Sequence, residues 1–259
     1  MFKKGIIAAS LLLTIGTAVA DEDTVIKNIT SHERMANAVV TIDQEMTAKI
    51  KKAYPSVDGY VVNVSGSRLL SNSDGSLVYQ LKSIFDTATM QDLQSTINYA
   101  VMEKAGNKDW IDLPLNGDVE KQADIYAFSD PTCGYCKKMH TEKDRYDGYG
   151  IQLHVIPYPR SGLREGTPGY DNWVKTVCAV NSGEVYHEGI LSGVFPEIPE
   201  GADVQGCKDM VEKGFRLGRE LGISGTPFKV GYALNGQKMM SPGYIPIDEL
   251  AKKLNISKP

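Results

Sequence analysis

The sequence predicts two unlike units, a small α+β unit followed by a larger α/β domain. Three observations predict this. From residue 123 onward, apolar strand-like runs alternate with helix-like stretches. Before residue 88, a helix, a strand and a hairpin follow one another without that alternation. Within the second unit, in "SDPTCGYCKKMH", Cys133 and Cys136 stand where a short apolar strand runs into a helix. The chain's 259 residues suffice for one large domain or two modest ones, and a 42% hydrophobic content permits a real core.

The first twenty residues are expected to lie outside the fold. Lys3 and Lys4 give a basic start, an uncharged and mostly apolar stretch follows over 5–17, and Ala18-Val19-Ala20 forms an A-x-A cleavage site. The apolar run is short for a membrane span, which needs ~20 apolar residues. A cleaved signal peptide over 1–20 is therefore expected, not an anchor, and no later stretch is apolar enough to span a membrane. Losing Lys3 and Lys4 takes the net charge from −4 to −6. That charge gives no reason to expect nucleic acid or an anionic membrane surface as partner. Export would place Cys133, Cys136, Cys178 and Cys207 where disulfides persist.

Residues 21–40 are mixed and indicate no clear element. A helix is predicted over 41–53, with Thr41 as a possible cap, acids early and lysines late. Tyr54-Pro55 ends it. "GYVVNV" over 59–64 reads as a strand. Residues 68–85 read as a hairpin turning at Asp74-Gly75. Together these make a small α+β unit over 41–88. An amphipathic helix over 89–106 places Leu93, Ile97, Ala100 and Val101 at helical spacing, and Gly106 stops it. It would link two units or pack on either one. Residues 107–122, with Pro, Gly and Asn, read as a connector.

In the second half, 123–128 is a strand, 133–145 a helix, 151–158 a strand and 169–181 a helix. A proline-rich loop covers 194–204. A helix over 207–222 carries an apolar stripe of Met210, Phe215, Leu217 and Leu221. A strand and turn lie in 225–236. A closing helix over 246–255 begins with Pro in its first turn.

Three chemistries compete for Cys133 and Cys136. A structural zinc site needs a second close ligand pair. Here Cys178 and Cys207 are far apart, and His32, His140, His154 and His187 form no paired spacing. No metal and no cofactor is expected. A structural staple across two residues would remove little unfolded-state entropy. A redox pair fits better. A helix beginning near Cys133, with Thr132 placed to cap it, would set that thiol beside unpaired N–H groups and the positive end of the helix dipole. Both favour the nucleophilic thiolate. Cys136, one turn inward, would be more buried and keep its proton longer. Cys133 would attack a substrate disulfide, and Cys136 would resolve the mixed disulfide. Lys137, Lys138 and His140 add positive potential or, for the lysines, form solvated surface.

Downstream, "SGTPFKV" sets Thr226-Pro227 just before a strand. A cis proline there would turn the Thr226 backbone toward an extended substrate beside Cys133. Tyr135, Tyr158 and Phe228 supply apolar surface near the site or belong to the core.

"FSDPTCGYCKKMH", "PYPRSGL", "LGISGTP" and "SPGYIPIDELAKKL" resemble the DsbC/DsbG family of periplasmic thiol:disulfide interchange proteins over about 120–255. "RLLSNSDGSLVYQLKSIFD" resembles the family's dimerisation domain, and 89–106 its linker helix. The resemblance implies an α/β thioredoxin-like domain with inserted helices over 123–259. Ahead of it would lie a small α+β, cystatin-like N-terminal dimerisation domain over 21–88, then a linker helix and connector over 89–122. It implies Cys133 as nucleophile, Cys136 as resolving thiol, and Thr226 and Pro227 as the substrate-binding loop. Gly134 and Tyr135, a dipeptide like that of the DsbC branch, would join that surface. Cys178 and Cys207 occupy the places of the family's structural disulfide. The loop between them, with "VFPEIPEG", is longer than the family's pattern.

The implied function is isomerisation or reduction of wrong disulfides in secreted proteins, with chaperone activity. The implied setting is the periplasm, as a homodimer kept reduced by a DsbD-like membrane thiol reductase, without cofactor or stable membrane insertion. The same thiols would also serve a DsbG-like reductase of sulfenylated cysteines or a net oxidant. A client-specific binding protein with secondary redox activity is the alternative from another class.

Overall fold

The computed structural model describes residues 20–55, 57–65, 67–79, 85–86, 91–106 and 110–258. The expected signal peptide, apart from Ala20, and part of the second hairpin arm lie outside these residues.

The stretch 21–40, unassigned from sequence, is largely ordered into elements. Asp21 caps α1 (Glu22–Thr30) by accepting the Thr24 N–H at 2.8 Å. A 3-10 turn at Glu33–Met35 leads to β1 (Val40–Ile42). Thr41 therefore lies in a strand and caps nothing. Asp43 caps α2 (Gln44–Ala53) instead, accepting the Met46 N–H at 3.0 Å. Next come β2 (Tyr60–Val64), β3 (Ser67–Ser71) and β4 (Val78–Tyr79). They complete an antiparallel sheet in the order β1-β2-β3-β4. The β3–β4 turn is braced by side chains. Asn72 accepts the Leu77 N–H and Asp74 the Ser76 N–H, both at 2.9 Å. Along β2, neighbours face opposite sides. Val62 and Val64 pack on α1, while Val61 enters the core around α2.

Phe85–Asp86 (β5) and Gln91–Asp92 (β6) pair with each other and lead into α3 (Leu93–Ala105). Ile97, Val101 and Met102 of α3 are buried. They share one core with Met46, Ile50 and Tyr54 on one side and Tyr126, Phe128 and Leu217 on the other. Sequence reading left open which unit α3 packs on; it packs on both.

The stretch read as a connector contains β7 (Ile111–Leu113), which joins the larger sheet. Then follow β8 (Ala123–Ser129), α4 (Gly134–His140), α5 (Lys143–Gly148) and β9 (Ile151–Pro157). The single helix predicted over 133–145 is thus two short ones. Next come α6 (Pro168–Cys178), α7 (Ser182–Ser192) and α8 (Val204–Glu220). The predicted helix over 169–181 stops at Cys178, and α7 was not anticipated. The chain closes with β10 (Phe228–Ala233), β11 (Lys238–Pro242) and α9 (Ile247–Lys253).

The five-stranded sheet runs β11-β10-β8-β9-β7, and only β8 and β9 are parallel. This is a thioredoxin-like α/β domain with helices inserted between β9 and β10. Central β8 is apolar almost throughout because both faces are covered. Ile125 and Ala127 face α4 and α7, while Tyr126 and Phe128 face α3 and α8. Helix α8 lies close to the end of β9, which two glycines permit. A Cβ on Gly218 would sit 2.4 Å from the Tyr158 ring, and one on Gly214 2.6 Å from the Pro157 carbonyl oxygen. Arg68 of β3 ties the small sheet to α8. It pairs with Asp43 at 2.9 Å and with Glu220 of α8. Among the described residues, no helix is long and apolar enough to cross a membrane.

Candidate active site

The carboxyl end of β8 is held from several sides. The Ser129 carbonyl accepts the Trp173 indole N–H at 3.0 Å and the Tyr158 N–H at 2.9 Å. The Tyr186 hydroxyl donates to the Ser129 hydroxyl at 2.7 Å. Trp173 and Tyr186, from α6 and α7, stack with centroids 4.2 Å apart. The inserted helices therefore clamp the strand end that carries the cysteine loop.

Asp130 follows, only 1% exposed. Its Oδ1 accepts the Thr132 N–H at 2.7 Å and the Thr132 hydroxyl at 2.6 Å. Its Oδ2 accepts the Arg160 N–H at 2.7 Å and Nε–H at 3.2 Å. Four donors thus satisfy a buried carboxylate. Thr132 consequently serves the loop and does not cap the helix. Cys133 itself occupies the N-cap position of α4, with no side-chain capping bond.

The fold brings Cys133 and Thr226, 93 residues apart, into contact. The Cys133 thiol donates to the Thr226 carbonyl at 3.3 Å. The Thr226-Pro227 peptide bond is cis. Both thiols of the pair are free; Cys133 is 4% exposed and Cys136 is fully enclosed. The Cys133 pKa is held well below an ordinary thiol's. The largest cause is the hydrogen bond from Cys136; burial opposes it, and the Thr226 side chain, the Cys136 N–H and Arg160 lower it further. The helix end therefore acts through one N–H and is not the leading cause. The Thr226 hydroxyl is buried and has no partner within ordinary hydrogen-bond distance. Yet it lies near enough to the sulfur to favour the thiolate, which would replace the thiol as its neighbour. The Cys136 pKa is pushed up, first by burial and then by hydrogen bonding to Cys133; the Ser129 hydroxyl partly offsets this.

Tyr135 is 63% exposed and stacks on Tyr244 with centroids 6.3 Å apart. The Lys138 ammonium lies 4.3 Å from the centroid of the Tyr244 ring. Gly134 opens to space, with nothing within 4 Å of an added Cβ. Tyr158 belongs to the core, donating to the Ile223 carbonyl at 2.6 Å, and Phe228 is half-buried against Phe128. His140 supplies no positive potential, contrary to expectation. It is buried, its Nδ1 lies 3.1 Å from that of His187, and burial lowers its pKa to about 3. Cys178 and Cys207 form a disulfide, with Cα atoms 5.5 Å apart and a sequence separation of 29. Among the described residues, no cluster of three or more His, Cys, Asp or Glu could hold a metal ion. Sequence reading did not single out Ser129, Asp130 or Arg160, although all three lie within the segments that carry the family resemblance.

A strand that delivers a reduced dithiol to a helix, beneath a cis-proline loop on a mixed sheet, defines a thioredoxin-fold protein with a redox-capable site. Residues 119–257 match the family of thioredoxin-like domains, and the chain belongs to it. It is similar to the thiol:disulfide interchange protein DsbC of Escherichia coli K12, 31% identical over 132 residues, which cover 51% of this chain and 50% of that protein. It is also similar to the probable DsbC of Bordetella parapertussis, 30% identical over 160 residues, covering 59% and 50% of the two chains. The chain spans about half the length of the curated relatives it matches. A solved disulfide interchange protein from Neisseria gonorrhoeae aligns with 57% of this chain and 94% of its own, at 23% identity and a TM-score of 0.42.

Proposed function

We propose that this chain is a thiol:disulfide interchange protein that isomerises or reduces non-native disulfides in exported proteins. The observation that carries the reading is the asymmetry of the dithiol. Cys133, whose pKa is held low, lies against the Thr226-Pro227 loop, while Cys136 is sealed and keeps its proton. The Cys133 thiolate attacks one sulfur of a client disulfide, and the other sulfur leaves as a thiolate. The client strand lies along the Thr226 backbone, with Pro227, Gly134 and Tyr135 as the remaining contact surface. If a client thiolate then attacks the mixed disulfide, Cys133 is released unchanged and the client is isomerised. If Cys136 attacks, the client leaves reduced and the pair is oxidised.

The second route consumes two electrons per turnover. A membrane thiol reductase of the DsbD kind would restore them. The periplasm is the setting in which such clients and such a donor meet. Homodimerisation through the N-terminal unit and chaperone activity belong to the same reading. Cys178–Cys207 is its structural disulfide.

Refolding of scrambled ribonuclease tests the reading. The wild-type protein is expected to restore ribonuclease activity and Cys133→Ser to restore none. Full rescue by Cys133→Ser would overturn it. Alkylation of thiols at harvest tests the direction of electron flow. A largely oxidised pair in cells would make the protein an oxidase.

A further inference from the structure

Two lysines are buried in the C-terminal domain, and only one of them is paired with an acid. Lys143 forms an ion pair with Asp147 and donates to the Pro114 carbonyl at 3.0 Å. Lys229 is 0% exposed, and its ammonium donates to the Gly243 carbonyl at 2.7 Å. Among the described residues, no carboxylate lies within ion-pair distance of it. An ammonium so deep, against one neutral acceptor, is costly. A methionine would fill the same space without that cost.

The register of the sheet says what Lys229 faces. It stands opposite Ala127 of β8 and Ser241 of β11. Residues directly opposite in paired strands share a face. Ala127 belongs to the core that holds Cys133, Cys136 and Met139. Lys229 therefore lies beneath α4, two residues past Pro227. Burial pulls its pKa down to about 8; negative charge on Cys136 and on Glu142 pushes it up. Glu142, at the corner between α4 and α5, has a buried Oε2 with no hydrogen-bond partner. Its Oε1 accepts from Arg145 at 2.9 Å, and the Tyr244 and Tyr146 hydroxyls lie within reach of its charge.

We propose that Lys229 is a positioning residue for the second chemical step, its ammonium stabilising the Cys136 thiolate as that sulfur attacks the mixed disulfide. This rests on the interchange function proposed above. In the mixed disulfide Cys133 carries no charge, so Cys136 must ionise inside the core with no help from its neighbour. Its proton leaves to solvent base. The Cys136–Cys133 bond forms, the Cys133–client bond breaks, and the electron pair leaves on the client sulfur. Lys229 keeps its proton throughout. A buried ammonium on the sheet face beneath α4 favours the charged form of a thiol in that same core.

Stopped-flow reaction of the full chain with Ellman's reagent separates the two steps. The first thionitrobenzoate reports attack by Cys133, and the second reports resolution by Cys136. Lys229→Met is expected to leave the first rate within about twofold. It should slow the second by about tenfold or more at pH 7 and move its pH midpoint up by about one unit. Lys229→Arg should restore most of the second rate. If Lys229→Met does not fold, Lys229→Gln is measured in the same way. An unchanged second step in the neutral variant would overturn the proposal, as would equal slowing of both steps. A wild-type protein that releases no thionitrobenzoate would instead overturn the interchange function itself, and this inference with it.

Discussion

The four cysteines make two pairs in one domain, and their surroundings send them to opposite ends of thiol chemistry. Cys178 closes α6 and Cys207 lies in the first turn of α8, so their bond ties down the segment that contains α7. Cys133 and Cys136 are unbonded in the structure, and their neighbours act on charge. Cys136, Thr226 and Arg160 favour the thiolate on Cys133, while burial keeps the proton on Cys136. The side chain is the same in both pairs; what differs is the polar atoms around the sulfur. The bonded pair joins α6 to α8 on either side of α7, and α6 and α7 supply Trp173 and Tyr186 to the strand end that carries the reactive pair.

The largest expected effect separates the pairs outright. Cys133→Ser should lower disulfide exchange by at least about a thousandfold. Cys136→Ser should still attack and accumulate mixed disulfides with clients, visible on non-reducing gels. Exchange that survived loss of Cys133 would erase the distinction. Next, replacing Cys178 and Cys207 together by Ala should cost about 3–4 kcal/mol at most, read as a lower urea midpoint. The alkylation rate of Cys133 should stay within about twofold, and a large fall there would show that the bonded pair tunes the reactive one.

Asp130→Asn comes third. It weakens the bonds that fold Thr132 and Arg160 over the loop and should cost about 1–3 kcal/mol in urea unfolding. Unchanged stability would deny Asp130 its anchoring role.

The smallest effect lies away from both pairs, at His154, bonded to Asp112 at 2.6 Å and Asp124 at 2.8 Å. Burial lowers the His154 pKa, but the Asp124 and Asp112 carboxylates outweigh it and hold it above the usual imidazole value. The raised folded-state pKa gives stability that is full below the unfolded value of ~6.5. It is lost as pH rises through the folded value. Unfolding free energy should therefore fall across that window in the wild type but not in His154→Gln. An equal fall in both would contradict the sign.

The α/β rhythm, the dithiol and the Thr-Pro turn were legible because each rests on local pattern. Apolar runs of period two or nearly continuous character mark β8 and β9, and a two-residue gap marks the cysteines. What was missed depends on distant partners. Strand β7 is three residues long among Pro, Gly and Asn, and only pairing with β9 makes it a strand. Thr132 looked like a cap because Ser, Thr, Asp and Asn all suit that role; the buried Asp130 carboxylate takes it instead. Asp130 and Arg160 stand 30 residues apart, and only the fold joins them. Helix α7 was hidden by its Gly183 and Gly189. Lys229 sits in "FKVGY" where alternation suggests an outward lysine, but α4 covers that face.

The central claim is that Cys133 is ionised at neutral pH. Iodoacetamide alkylation of Cys133 in the reduced wild-type chain, followed from pH 3 to 10 by mass spectrometry, measures this directly. The rate is expected to reach its plateau well below the ordinary thiol pKa of ~8.5. A rate still climbing through pH 8.5, as for a free thiol, would contradict it.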